Sequence, residues 1–129
     1  YLLRSGTLAI LNQRLVRRLC PCARPITDPD QLLGLPETGA RQAVGCDTCR
    51  RTGYVGRLVL AELLVTDQSE LGRAILSRRE SSHLEQLAIR NGMVPVWQRA
   101  LDTVRAGLTS PSEVRRTFGF GPYSVRAAE

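Results

Sequence analysis

The start of the chain carries a helical pattern of apolar residues. Four leucines recur at intervals of three or four positions: Leu8, Leu11, Leu15 and Leu19. This is the period of one helix face, and Ser5 precedes it as a candidate N-cap. The pattern predicts a helix over residues 5–19 with a buried leucine face. Arg17 lies opposite that face and Arg14 flanks it, so these arginines either solvate the helix or contact an anion or a neighbouring subunit.

The region after this pattern reads as loops with short elements. Asp28 followed by Pro29 resembles an N-cap and first helical position, which predicts a short helix through Leu33. Ala43 and Val44 predict a short strand. We therefore expect small elements here, with no room for a long helix.

Residues 56–65 form a nearly continuous apolar run, which is typical of a buried strand. Glu62 is the one charged residue inside the run after its first two positions. We expect Glu62 either to pair with an arginine or to lie on an exposed face, and the sequence does not choose between these readings.

Helical patterns dominate from residue 66 onward. Four helices are predicted: residues 66–77, 82–90, 95–106 and 111–118. Ser82 with Glu85 matches the capping box of a helix start. Ser110 with Glu113 matches it a second time, with Pro111 at the first helical position. Residues 119–129 carry breakers without an apolar period, so we expect a loosely ordered tail.

The length and composition of the chain exclude several classes of protein. A length of 129 residues suits one compact domain or two small subdomains. No run of about 18 apolar residues is present, so we expect no membrane span. The chain begins at Tyr1 and not at Met, which we interpret as a fragment whose native N-terminus is missing.

All 18 basic residues are arginines, and the formal net charge is +6. A P-loop requires a lysine that reaches the β- and γ-phosphates of a nucleotide. This chain has no lysine, so any nucleotide cradle of a longer parent protein lies outside these residues. The positive charge permits nucleic acid, anionic lipid or acidic protein partners.

Four cysteines occur in two close pairs, Cys20 with Cys22 and Cys46 with Cys49. Two such pairs suit a tetrahedral Cys₄ zinc site. The first pair is one residue shorter than the common spacing. Pro21 favours extended backbone before it, which lets both thiols of that pair face one way. Disulfides, or four free thiols, are the alternative readings.

No catalytic set is predicted. The single histidine, His83, stands near a helix start in an exposed pattern, so we expect it to be a surface residue. Neither a Ser-His-Asp set nor a Cys-His set has support from the sequence.

Several strings together resemble the C-terminal part of bacterial type II secretion ATPases and of type IV pilus assembly ATPases. They are QRLVRRLCP at residues 13–21, GCDTC at 45–49, TGYVGR at 52–57 and ELL at 62–64. Downstream, GM at 92–93, VRAGLTS at 104–110 and EV at 113–114 are similar to the closing helices of that family. The resemblance covers roughly residues 2–118.

The resemblance implies an α+β fold that is mostly helical. Residues 1–19 would be the terminal helix of a RecA-like ATPase domain. Residues 20–65 would be a small zinc-binding subdomain with short strands, and residues 66–118 a C-terminal helical subdomain. Structural zinc would be bound by the four cysteines, while ATP and Mg²⁺ would be used only by the parent. The fragment alone would be non-catalytic.

The resemblance also implies partners and a location. The parent would be a homo-hexameric ATPase in the bacterial cytoplasm, peripheral at the inner membrane on platform proteins of a secretion or pilus system. The arginine of the TGYVGR string is placed near the nucleotide or a subunit boundary in that family. Arg57 is therefore a candidate for that contact, together with Arg14 and Arg17.

Two other functions are compatible with the cysteines. A zinc-knuckle module for nucleic acid is suggested by the excess of arginine, with Tyr54 as a stacking platform. Sparse aromatics and dispersed arginines make nucleic acid the weaker hypothesis. A chaperone-like zinc domain is the third hypothesis, although the chain lacks the repeated knuckles of that class.

Overall fold

A computed structural model describes residues 6–35, 38–66 and 70–120 of the chain. Four strands and four α-helices occur in these residues: β1 Ala9–Leu19, β2 Arg24–Pro25, β3 Arg41–Gln42, β4 Tyr54–Val65, α1 Glu70–Leu76, α2 Ser81–Arg90, α3 Val96–Arg105 and α4 Pro111–Phe118. A 3-10 helix, Pro29–Leu32, lies between β2 and β3. The predicted tail falls almost entirely outside the described residues.

The chain divides into two compact units. The first unit contains residues 1–13 and 61–96, and the second contains residues 14–60 and 97–129. β1 and β4 pair with one another, and the chain passes from one unit to the other within each of them.

The predicted helix over residues 5–19 is wrong, because residues 9–19 form strand β1. Backbone hydrogen bonds join Thr66 to Leu8 at one end of the pair and Cys20 to Gly53 at the other, so β1 and β4 run antiparallel. The predicted buried leucine face is also wrong as a whole, because only Leu19 of its four leucines is buried. Leu8 is 86% exposed, and Leu11 and Leu15 are exposed as well, whereas Val16 is fully buried.

Strand β4 contains the predicted strand and begins two residues earlier. Its burial differs from the expected continuous core. Leu60 is buried, but alternate apolar side chains are exposed: Val59, Leu63 and Val65. Only one face of β4 therefore packs against the described residues, which is the alternation expected of a strand with one covered face.

In the first unit, α1 and α2 pack together around Leu71, Ala74, Leu87 and Ala88. Glu62 neither pairs with an arginine among the described residues nor lies on a fully exposed face. Its carboxylate accepts the backbone N–H of Val96 at 2.8 Å, at the first residue of α3. An acceptor at this position satisfies an N–H that has no partner within the helix.

The start of α2 corrects a second prediction. The N-cap is Glu80, and it makes no side-chain capping bond. Ser82 therefore lies inside the helix, and the predicted capping box with Glu85 is not formed. The predicted end of the helix at residue 90 is confirmed, since the helix ends at Arg90 with Asn91 as its C-cap.

In the second unit, α3 and α4 supply the core residues Ala100, Leu101, Val104 and Val114. Trp97 and Phe118 meet edge to face with their ring centroids 5.6 Å apart. Arg115 donates from Nε and from a terminal nitrogen to the backbone carbonyl of Leu33. This contact joins α4 to the chain just after the 3-10 helix.

The short elements of the second unit agree in part with those predicted from the sequence. Asp28 caps the 3-10 helix by accepting the N–H of Asp30, as its pattern predicted. The short strand expected at Ala43 lies two residues earlier, where β3 pairs antiparallel with β2. The helices and small antiparallel sheets of the described residues together make an α+β fold.

Candidate metal centre

The four cysteine thiols converge at one point of the second unit. Cys20 Sγ lies 3.8 Å from Cys46 Sγ, and Cys22 Sγ lies 4.0 Å from Cys49 Sγ. Cys46 and Cys49 are 3.7 Å apart, and all four sulfurs lie within 4.8 Å of one another. The cluster could hold one metal ion.

These distances fit a tetrahedral thiolate site. Four sulfurs at about 2.3 Å from a central ion lie about 3.8 Å from each other. A disulfide requires two sulfurs about 2.05 Å apart, and each of the four cysteines is free. The spacing of the four sulfurs therefore fits shared coordination of one ion better than a disulfide.

The second cysteine pair forms a tight backbone knuckle. Cys49 Sγ accepts the backbone N–H of Cys46 at 3.1 Å and that of Gly53 at 3.2 Å. Gly53 has a φ of +79°, and a side-chain carbon there would lie 2.5 Å from the Cβ of Ala43. Only glycine can both adopt this backbone and approach so closely. Gly53 thus provides the sharp exit of the chain from the knuckle.

The electrostatics of the knuckle favour a thiolate at Cys49. Burial alone would raise the pKa of this thiol, but the N–H donors of Cys46 and Gly53 outweigh burial and lower the pKa to about 6. A backbone hydrogen bond at Cys49 is also the leading reason that the pKa of Cys46 is lowered. Donors aimed at a sulfur stabilise its charged form, which is the form that binds metal.

The pKa of Cys20 is shifted in the opposite direction, upward. A backbone hydrogen bond from Cys22 acts to lower its pKa, but burial and the three neighbouring thiols raise the pKa to about 12. Several thiolates cannot share so small a space without a compensating positive charge. A divalent cation at the centre would supply that charge.

The short first pair is held by backbone contacts on both sides. The N–H of Cys20 donates to the carbonyl of Gly53 at 2.9 Å, and the N–H of Ala23 donates back to the carbonyl of Cys20. Cys20 thus begins a turn directly after β1 and is tied to the knuckle. This tie explains how a pair separated by one residue still directs both sulfurs to the cluster.

A second polar cluster lies in the same unit, around Glu113 at the first turn of α4. The Glu113 side chain is 0% exposed, and its two oxygens accept five N–H groups from two arginines. Arg17 donates from its backbone, from Nε and from a terminal nitrogen at 2.7–2.9 Å. Arg116 donates from Nε and from a terminal nitrogen at 2.7 and 2.6 Å.

The two arginines decide the charge state of this carboxylate. Burial alone would raise the pKa of Glu113, but hydrogen bonds from Arg116 and Arg17 outweigh burial and lower the pKa to about 2. The Arg116 pKa is raised in turn by the same contact. Glu113 is therefore ionised at neutral pH, as a paired buried carboxylate should be.

Tyr54 links the knuckle to this cluster. It follows Gly53 directly in the chain, its ring lies 4.2 Å from the guanidinium carbon of Arg17, and its hydroxyl lies 2.6 Å from Ser110 Oγ. Ser110 Oγ also accepts the N–H of Glu113. The predicted cap at Ser110 is thus formed. In a capping box the Glu113 carboxylate would also bind the backbone of the cap residue, but here it binds Arg17 and Arg116 instead.

The arginines named from the sequence have different surroundings. Arg17 and Arg57 line one cavity of about 360 Å³ together with Arg116. Arg14 is exposed and is not among its lining residues. Sequence reasoning missed Glu113 and Arg116 as site residues, because their partner Arg17 lies almost a hundred positions away in the chain.

No α-helix in the described ranges is long and apolar enough to cross a membrane.

Comparison with known proteins places the chain in a family. Residues 1–116 match the type II/IV secretion system protein family. The chain is 40% identical over 123 residues to the type II secretion system protein E of Aeromonas hydrophila, covering 90% of this chain and 24% of that protein. It is 35% identical over 123 residues to the type II secretion system ATPase E of Vibrio cholerae, with the same coverage.

A pilus protein is similar as well. The type IV pilus assembly ATPase PilB of Thermus thermophilus is 35% identical over 119 residues, which is 85% of this chain and 13% of that protein. The chain therefore belongs to the type II/IV secretion system protein family, as the sequence strings predicted. It spans about a quarter or less of the length of these relatives.

Proposed function

We propose that this chain is the C-terminal, zinc-binding and helical part of a hexameric ATPase that drives type II secretion or type IV pilus assembly. Membership of the family and the names of the similar proteins support this proposal. The observation that carries it is the cluster of four thiols within 4.8 Å, inside the stretch that matches the family.

Structural zinc is the metal that suits the four thiols. Zn²⁺ prefers a closed tetrahedral set of thiolates when its role is structural, and Cys20, Cys22, Cys46 and Cys49 offer four sulfurs at the required spacing. The N–H donors on Cys49 supply the outer contacts that orient such ligands. When bound, the ion ties the end of β1 to the start of β4.

The role that we assign to each part of the chain follows from the family resemblance. Residues 1–19 belong to the end of a RecA-like ATPase domain, although residues 9–19 form a strand and not the expected helix. Residues 20–65 form the zinc-binding subdomain, and residues 66–118 form the C-terminal helical subdomain. ATP and Mg²⁺ are bound elsewhere in the parent, since this chain has no lysine for a P-loop. The fragment itself is structural and non-catalytic.

The parent acts in the bacterial cytoplasm at the inner membrane. Its partners are neighbouring subunits of the homo-hexamer and the platform proteins of a secretion or pilus system. Arg14, Arg17 and Arg57 are the nucleotide or subunit-interface candidates. Arg57 suits this role best, because its exposed side chain makes no hydrogen bond or ion pair with any other described residue.

A nucleic-acid module is the weaker candidate. That function needs Tyr54 as a free stacking platform for a base. The ring of Tyr54 is occupied by Arg17, and its hydroxyl is engaged with Ser110. These contacts favour a structural role for the one aromatic residue that the nucleic-acid hypothesis names.

Metal analysis of the purified chain tests the proposal. We expect one zinc per chain and no measurable ATP turnover. Cys22→Ser should lose the metal and lower the free energy of unfolding, whereas Asp47→Asn, on an exposed residue between the ligands Cys46 and Cys49, should keep both. A folded, metal-free wild-type protein would refute the zinc site, and ATP hydrolysis by the chain would refute the non-catalytic role.

A further inference from the structure

We propose that a pocket beside the cysteine cluster, lined by Arg18 and Arg41 and called here the Arg18 pocket, binds an acidic and apolar segment of a second protein. The proposal deepens the proposed function and rests on it, because it gives the zinc-binding part of the chain a surface and a chemistry for contact with a partner. Neither Arg57 nor a nucleotide takes part in it.

The Arg18 pocket lies where β1 meets the turn before α4. The N–H of Leu19 donates to the carbonyl of Leu108 at 2.8 Å and joins these two segments. The volume of the pocket is about 300 Å³, which is the lower end of the range for ligand pockets. Its buried lining residues are Leu19, Cys20 and Ala23, its exposed ones are Arg18, Pro21, Arg41, Val55 and Leu108, and Gly107 completes the lining.

The two arginines of the pocket have no acidic partner among the described residues. Arg41 donates from a terminal nitrogen to the carbonyl of Ala23 at 2.7 Å. Its side chain also passes close to Gly107, where an added Cβ would lie 2.9 Å from Arg41 Cδ. These contacts hold Arg41 in place but leave its charge uncompensated, and Arg18 is exposed. Since no carboxylate is among the described lining residues, an incoming carboxylate meets no competitor there.

Apolar side chains lie next to these charges. Val55 is 46% exposed and Leu108 is 37% exposed, and both belong to the lining. A small inorganic anion would leave these side chains in water. A protein segment that carries a carboxylate beside an apolar side chain covers the charges and the apolar surface together, and arginine next to apolar surface is typical of the centre of a protein interface.

The charge of the surrounding unit favours an acidic partner. The described residues of the second unit include twelve arginines and five acidic residues, whereas those of the first unit include four of each. The positive excess of the described residues therefore lies in the unit that contains the pocket. Such an excess speeds the encounter with an acidic protein. A second copy of this chain carries the same excess, which makes it the poorer occupant.

The cysteine cluster limits the charge of the ligand. Cys20 belongs both to the cluster and to the lining of the pocket. Four thiolates around one Zn²⁺ carry a net charge of about −2, which repels a doubly charged phosphoryl group more strongly than a singly charged carboxylate. Arginine binds a carboxylate through two parallel hydrogen bonds. An aspartate or glutamate beside an apolar residue therefore suits the pocket better than a phosphate.

An array of random peptides, probed with the zinc-loaded chain, tests this specificity. We expect the retained peptides to be enriched in aspartate or glutamate next to leucine, isoleucine or phenylalanine. The tightest of these peptides is then labelled and titrated by fluorescence anisotropy. Retention without this enrichment, or no retention at all, would overturn the proposal.

Substitutions of exposed lining residues locate the binding of the selected peptide. Arg18→Gln should weaken it about tenfold, as expected for one lost charge-assisted contact. Val55→Thr should weaken it about fourfold, the value of one buried methyl group. Arg99→Gln, at an exposed arginine of α3 outside the lining, should change it less than twofold. An equal effect of Arg18→Gln and Arg99→Gln would contradict binding at this pocket.

Two further measurements test other occupants. Vesicles of phosphatidylcholine and phosphatidylglycerol should not displace the labelled peptide, and displacement would assign the pocket to a lipid headgroup instead. Sedimentation of the chain should show no dimer that Arg18→Gln abolishes. Such a dimer would assign the pocket to a second copy of the chain and overturn the proposal.

Zinc content measured on the same samples distinguishes this proposal from the proposed function. Zinc-loaded protein that retains no acidic peptide contradicts the pocket and leaves the proposed function standing. Metal-free protein that binds the peptide, with the loss expected for Arg18→Gln, contradicts the zinc site and supports the pocket.

Discussion

The hydroxyl of Tyr54 lies 2.6 Å from Ser110 Oγ, and this contact joins the end of the cysteine knuckle to the N-cap of α4. On its other side, Tyr54 follows Gly53, whose N–H donates to Cys49 Sγ. One residue therefore stands between the candidate metal centre and the Glu113 cluster.

Substitution of Tyr54 separates its two contacts. We expect Tyr54→Phe to lower the free energy of unfolding by about 1 kcal/mol, since it removes one hydrogen bond with Ser110 and retains the ring. Tyr54→Leu should cost at least about 0.5 kcal/mol more, because the cation–π contact with Arg17 is lost as well. Urea denaturation of both variants measures the difference, and equal losses would show that the ring contact contributes nothing.

The ionisation of Glu113 makes stability depend on pH. Its pKa is about 2 in the folded chain, below the ordinary value of 4.5, so the unfolded chain binds a proton first as the pH falls. The contribution of Glu113 is complete above pH 4.5 and is lost as the pH falls toward 2. The slope is at most about 1.4 kcal/mol per pH unit, and exposure of the partner arginines lowers it.

Urea denaturation between pH 3 and 7 measures this slope. Glu113→Gln should be less stable than the wild type at pH 7, and the gap should narrow as the pH falls below 4.5. Asp47→Asn is the matched control, since the ion pair of Asp47 with Arg51 is exposed and contributes little. A gap that stays constant with pH would contradict ionisation of Glu113 as the cause.

The two predicted capping boxes give a direct comparison of caps. Ser110 Oγ accepts the N–H of Glu113, so Ser110→Ala should cost about 1–2 kcal/mol. Ser82 lies inside α2, and Ser82→Ala should be neutral or slightly stabilising because alanine is the better helix former. Thermal unfolding of both variants checks this, and a similar loss in both would mean that Ser82 acts as a cap.

The strand at residues 9–19 shows why the first prediction failed. Leu11, Leu15 and Leu19 are spaced by four, and residues four apart share a face both in a helix and in a strand. The spacing therefore could not separate the two. Pairing with β4, which begins 35 residues after β1 ends, decided the outcome. Local elements with specific start and stop residues, such as the 3-10 helix after Asp28, were predictable because their contacts are local.

Of the two candidate sites, one was predictable from the sequence and the other was not. The cysteine cluster was visible in the sequence because thiols in close pairs have few other uses in a chain with so few cysteines. The Glu113 cluster was not visible, since a glutamate after Ser110 is fully accounted for by a capping box. Only the fold reveals that its carboxylate meets Arg17 from the distant strand β1.

Two glycines near the knuckle allow the metal centre to be tested through the backbone. Gly53 and Gly56 have φ values of +79° and +76°, so alanine at either position carries a similar strain of about 1–2 kcal/mol. An added Cβ at Gly53 would also lie 2.5 Å from that of Ala43, whereas at Gly56 nothing lies within 4 Å. Gly53→Ala must therefore shift the N–H that supports Cys49 Sγ.

We expect the Gly53→Ala variant to unfold more easily than Gly56→Ala. We also expect it to release zinc to a chelator faster, and a colorimetric metal indicator measures this rate. Equal zinc release from the two variants would show that the knuckle geometry at Gly53 does not govern metal retention.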